Sequence, residues 1–160
     1  MTMSAKIDTM RIDRLALALL LAYLVVLAIL TLRPVGADIE SNVRVNLKPF
    51  ATILPALRHG PGTFVFASLV GNVLAFVPLG LLLPLAVRRI PWPLVILAGA
   101  ALSAAIELTQ YTLSTNLGYG YRRADIDDVI VNVAGTVVGL ALYAALKLAE
   151  SFIRWVRSAG

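Results

Sequence analysis

The sequence contains no cysteine and a single histidine, His59. Disulfides, thiolate metal sites and a cysteine nucleophile are therefore excluded, and a histidine-rich zinc site with them. Charge is also scarce. Only 14% of the 160 residues are Asp, Glu, Lys or Arg, whereas a soluble domain carries about a quarter. Against these shortages stand 59% hydrophobic residues and a mean hydropathy of +0.86. An integral membrane protein is expected, all-α, folded as a four-helix bundle in one domain over residues 1–160. The net charge of +5 is spread over several loops. Interfacial anchoring explains it better than nucleic-acid binding does.

Four apolar runs give spans at about 15–32, 64–87, 93–113 and 129–149. The first follows Lys6, Arg11 and Arg14, and its eighteen residues reach roughly 27 Å. Val35-Gly36-Ala37 resembles a signal-peptidase site, but the apolar run is too long for a signal peptide, and Arg33 and Pro34 intervene. A retained helix is expected. Between the first two spans, residues 45–54 carry apolar residues that suit a short interfacial helix, and residues 152–157 suit another at the C-terminus. Pro78 removes a helix hydrogen bond in the second span, so a kink is expected near residues 74–78.

Orientation follows from the cations. Lys6, Arg11, Arg14, Arg88, Arg89, Lys147, Arg154 and Arg157 fall at one end of the bundle, on short segments. Arg33, Arg44, Lys48, Arg58, Arg122 and Arg123 fall at the other, on longer loops. The positive-inside rule then makes both termini cytoplasmic, in a bacterial cytoplasmic (inner) membrane.

The polar residues inside the spans converge in depth. Glu107 and Gln110 lie about 22 and 27 Å along the third helix from its start, in the outer half of the bilayer. Asp125 and Asp128 stand at the outer mouth of the fourth helix, with Asn132 about 6 Å below Asp128. Asn72 sits about 12 Å below the outer end of the second helix. A carboxylate facing lipid costs several kcal/mol, so Glu107 has to face the bundle, find a partner or carry a proton. Asn72, Gln110 and Asn132 equally suit plain interhelical hydrogen bonds, and Asp125 suits helix capping. Gly135-x-x-x-Gly139 has the spacing of a close helix contact.

These residues resemble the VanZ-like family of small bacterial membrane proteins. The resemblance rests on Asn46 to Phe50, on Gly71-Asn72 through Phe76-x-Pro78-x-Gly80, on Glu107-x-x-Gln110, and on Arg123 through Asp125-x-x-Asp128-x-x-x-Asn132-x-x-Gly135. Lys48 stands where the family usually has an apolar residue. The family takes its name from a protein linked to low-level teicoplanin resistance. The resemblance implies a fold and a site more directly than a reaction.

The first functional expectation is a cell-envelope protein whose outer-leaflet polar pocket acts on or binds a lipid headgroup or lipid-linked glycan. Glu107 and Asp128 are the candidate acid/base or positioning pair. Asn72, Gln110, Arg123, Asp125 and Asn132 are candidate substrate-binding residues, with Arg123 suited to a phosphate or carboxylate. No nucleophile motif or cofactor fingerprint is present, and no metal site is expected. The alternatives are a non-catalytic accessory protein that binds or masks envelope precursors, and a small proton-coupled transporter or flippase. The transporter reading is weakened by the nearly apolar cytoplasmic halves of the spans.

Overall fold

The computed structural model describes residues 11–33, 45–117 and 124–159. Its helices are α1 (Arg14–Thr31), α2 (Ile53–His59), α3 (Phe64–Ala86), α4 (Trp92–Leu117) and α5 (Ile126–Ala159). All but α2 are long and apolar enough to cross a membrane. The chain is a multi-pass membrane protein with an all-α bundle.

Helix starts are set locally. Asp13 Oδ1 accepts from Ala16 N–H at 3.1 Å to cap α1, and Thr63 Oγ1 accepts from Phe66 N–H at 3.3 Å to cap α3. The loop between α1 and α3 does contain a short helix, but it is α2 at Ile53–His59 and not the expected stretch 45–54, where Asn46 bridges Asp125 and residues 49–52 form turns; Gly60 ends α2 at φ +72°. α3 runs unbroken through Pro78 and Pro84. α4 continues to Leu117, beyond the apolar run that announced it, and Thr112 and Thr115 satisfy their hydroxyls there on main-chain carbonyls one turn earlier. At the C-terminus, residues 150–159 continue α5 and form no separate helix. No glycine or proline interrupts residues 140–159, and the Lys147–Glu150 pair at 2.9 Å supports the turn where the break was expected. At about 51 Å, α5 is longer than the bilayer core is thick.

Two short backbone pairings tie the ends of the bundle. β1 (Arg11–Ile12) pairs antiparallel with β2 (Val87–Arg88), bringing the start of α1 beside the end of α3. At the opposite end, Asn46 N–H donates to Ala124 O and Ile126 N–H donates to Asn46 O, both at 2.9 Å. The first long connection is thus stitched to the entrance of α5. The four spans alternate direction, and the N-terminal segment, the 87–91 turn and the end of α5 share one end of the molecule.

The tightest helix pair is α3 with α5. A Cβ on Gly135 would overlap the Val73 carbonyl, one on Gly139 the Val77 carbonyl, and one on Gly80 the Thr136 carbonyl. Three glycines therefore let two backbones touch, where association rests on packing because lipid is as apolar as leucine. α1 packs on α3 through Leu20 and Leu27 against Phe76 and Leu79, and Tyr23 Oη donates to Ala75 O at 2.8 Å. The remaining face of α1, including Leu19, Val26, Ile29 and Leu30, is exposed.

Candidate functional site

The polar residues gather at the end of the bundle where α5 begins. Asp125 is the N-cap of α5: its Oδ1 accepts from Asp127 N–H at 2.9 Å. The same oxygen accepts from Asn46 Nδ2 at 2.9 Å, and Oδ2 accepts from Thr52 Oγ1 at 2.6 Å. Asp125 N–H donates to Glu107 Oε2 at 3.0 Å. In a capping box a glutamate of the helix's own first turn fills that place. Here α4 supplies it, which frees the residue at the equivalent position of α5, Asp128, to reach another helix.

Asp128 does so: Asn72 Nδ2 of α3 donates to Asp128 Oδ1 at 2.7 Å. One turn deeper, Asn132 Nδ2 donates to Ser103 Oγ of α4 at 2.9 Å. Gln110 Nε2 donates to Thr31 O at 2.7 Å, satisfying a carbonyl that the end of α1 leaves open. Each of these hydrogen bonds joins two different elements. The site and the bundle contacts are built from the same atoms.

Asn72, Glu107, Gln110, Asp128 and Asn132 line one enclosed cavity of about 30 Å³, with Thr31, Phe76 and neighbouring apolar groups completing the wall. This has room for one or two small polar atoms. Asn132 is 5% exposed, and its Oδ1 is buried without a hydrogen-bond partner among the described residues. A rotated amide would exchange the roles of its two ends and leave the other one unmatched. A buried acceptor without a donor costs about 1–3 kcal/mol.

Two larger hollows adjoin this cavity. Thr31, Asn72 and Ala75 also line a groove of about 340 Å³ between α1 and α3, which is otherwise walled by Leu27, Leu30, Ala67 and Gly71. Asp128 also lines a cleft of about 190 Å³ beneath α2, with Thr52, Ser68, Asp125 and Asp127. Phe64 and Ser68 are common to groove and cleft. Polar groups thus lie between an apolar slot along the helices and an opening at the end of the bundle.

Of the seven residues singled out from sequence, six are described, and five of these share the enclosed cavity. Asp125 stands beside it, with its carboxylate held by Asn46, Thr52 and the Asp127 amide. Arg123 lies outside the described residues.

Asp127 was not singled out, yet it is 1% exposed and organises the loop that leads into α2. Its Oδ1 accepts from Phe50 N–H at 2.6 Å, and its Oδ2 accepts from Thr52 and Ile53 N–H at 2.6 and 3.1 Å. Three amides wrapped about a carboxylate form an anion nest at the entrance of α2. Phe50 adopts φ +64°, an uncommon conformation for a bulky residue, and the nest holds it there. The missed signal was Asp127 itself, one position from a residue already chosen. Its backbone donors lie some 75 residues away and leave no mark in side-chain spacing.

A membrane helical bundle with a polar cavity at one end is the class of protein these features define. Residues 20–147 match the model of the VanZ/LLP1 family. The chain belongs to that family. Comparison with curated proteins and with solved structures yields no match.

Proposed function

We propose that the protein is a cell-envelope component that binds an amphiphile, a membrane lipid or lipid-linked glycan, with its headgroup at the junction of the groove and the cleft and one small polar group of it reaching into the cavity of about 30 Å³. In this reading the apolar tail lies in the α1–α3 groove. The carrying observation is the buried, unmatched amide end of Asn132 in a cluster that includes two carboxylates and adjoins an apolar slot. An amphiphile offers complementary chemistry to both. Its hydroxyl, amide or ammonium protons suit Glu107, Asp128 and Asn132, and its chain suits Leu27, Leu30 and Ala67. Arg123 is proposed as the cation for a phosphate or carboxylate on the same ligand. Glu107 and Asp128 position the headgroup or, if a reaction follows, carry its proton.

The proposal includes location in the bacterial inner membrane with both termini cytoplasmic. The site then faces the envelope side, where glycopeptide antibiotics such as teicoplanin meet their targets. A transport route is less well supported. The buried polar residues end at Thr136, about 17 Å into α5, and the second half of the described bundle is apolar inside.

Glu107→Gln tests the reading, because it keeps an acceptor for Asp125 N–H while removing the charge. The expected result is altered glycopeptide susceptibility with unchanged membrane accumulation. Unchanged susceptibility together with unchanged accumulation counts against a role for the Glu107 charge.

A further inference from the structure

A larger hollow lies at the opposite end of the bundle. It is a cleft of about 450 Å³ between the end of α3 and the last turns of α5, closed on a third side by the start of α1. Arg88, Arg89, Lys147 and Arg154 line it, against the two acidic residues Asp13 and Glu150. Among the described residues that line it, four are basic and two acidic. Both acids are already engaged: Asp13 caps α1, and Glu150 accepts from Lys147 at 2.9 Å. Tyr143 forms the deeper wall, with Lys147 Nζ 5.8 Å from its ring centroid.

The positive-inside rule accounts for cations at this end but does not require them to meet in one hollow. Three features of the fold bring them together. The β1–β2 pairing sets Arg88 beside the N-terminal segment. A left-handed residue, Arg89 at φ +70°, turns the chain at the mouth of the cleft. The uninterrupted continuation of α5 carries Arg154 two turns past Lys147 to stand over it. A helix that ended near residue 149 would leave the cleft without its outer wall.

We infer that this cleft is a binding site for a phosphate-bearing anion at the membrane surface, held by Arg88 and Arg154 with Lys147 beneath. Guanidinium groups present forked donors that match phosphate oxygens. The α3 carbonyl end contributes a partial negative charge at one wall, so the arginines, not the helix dipole, supply the attraction. The chemistry is common to a lipid phosphate headgroup and to a free phosphate compound. This site is independent of the cavity at the other end of the bundle.

The test is native mass spectrometry of the full chain in a neutral detergent, titrated with phosphatidylglycerol or with phosphatidylcholine of the same acyl chains. Arg88→Gln/Arg154→Gln is compared with Arg14→Gln/Arg157→Gln, which removes two charges from the same end but outside the cleft. Helical content by circular dichroism checks that each variant is folded. Phosphatidylglycerol is expected to be retained in preference to phosphatidylcholine by the wild type and by the control variant. In the cleft variant its retention falls at least roughly tenfold, the low end of what one charge-assisted hydrogen bond is worth. Competition by millimolar inorganic pyrophosphate, with weak retention of the lipid, assigns the site to a free phosphate compound and still supports it. Equal losses in both variants, or equal retention of the two lipids without pyrophosphate binding, overturn it and leave general surface charge as the explanation.

Discussion

Asn72 Nδ2 lies 2.7 Å from Asp128 Oδ1, joining α3 to α5 across 56 residues of sequence at the rim of the polar cavity. Their helices pack so closely through Gly80, Gly135 and Gly139 that neither side chain has far to reach. Replacing Asn72 by Ala removes the donor and leaves the carboxyl acceptor with one partner fewer. The expected cost is about 1–3 kcal/mol, read as a lower thermal midpoint in detergent. Asp128→Asn retains an acceptor for Asn72, so its midpoint is expected to fall less than that of Asn72→Ala. The reverse order contradicts this account of the contact.

Asp127→Ala removes the acceptor for three amides of residues 50–53. The loop over residues 45–60 is expected to open before the bundle does. Limited proteolysis in detergent should cut within residues 45–60 at least several times faster than in the wild type, while the spans remain helical. Asp127→Asn keeps one carbonyl acceptor and should be intermediate. Unchanged cleavage of the Asp127→Ala protein contradicts the organising role of the nest.

Gly135→Ala separates two effects of opposite sign. In a helix interior alanine is favoured over glycine by about 1 kcal/mol, so a loosely packed site would gain stability. The Val73 carbonyl occupies the place of the new Cβ, and overpacking of this kind costs about 1–3 kcal/mol. Net destabilisation is expected in a thermal or denaturant melt. A stabilised variant shows that α3 and α5 are farther apart than described.

Much of this arrangement can be read in the sequence because bilayer thickness converts residue number into depth. Glu107, Asn72 and Asn132 converge by that arithmetic alone, and the cavity contains all three. The partners that depend on backbone groups are not legible in the same way. Gln110 meets the Thr31 carbonyl and Asp127 meets three amides, and a backbone group at one position resembles that at any other. Ser103 was visible as a small residue on the right face of α4, and only the geometry shows it as the partner of Asn132. The lengths of α4 and α5 were underestimated because hydropathy marks the bilayer, whereas helices end where hydrogen bonding and breakers end them.

Orientation can be checked cleanly because the chain has no cysteine. Leu57→Cys on α2 and Ser158→Cys near the end of α5 place single thiols at exposed positions at opposite ends of the bundle. A membrane-impermeant maleimide is expected to label Leu57→Cys on intact cells and Ser158→Cys only after lysis. Labelling of Ser158→Cys from outside reverses the orientation.

The most direct measurement identifies the lipids that stay with the protein extracted in native nanodiscs, each sample referred to the bulk membrane. An Arg88→Gln/Arg154→Gln background keeps the basic cleft from contributing. In that background one amphiphile class should be enriched, and Asn132→Leu or Glu107→Gln should each abolish the enrichment while leaving the helical content intact. No enriched class, or the same enrichment in both variants, contradicts the proposal that the polar cavity between α3, α4 and α5 takes a polar group of a bound amphiphile.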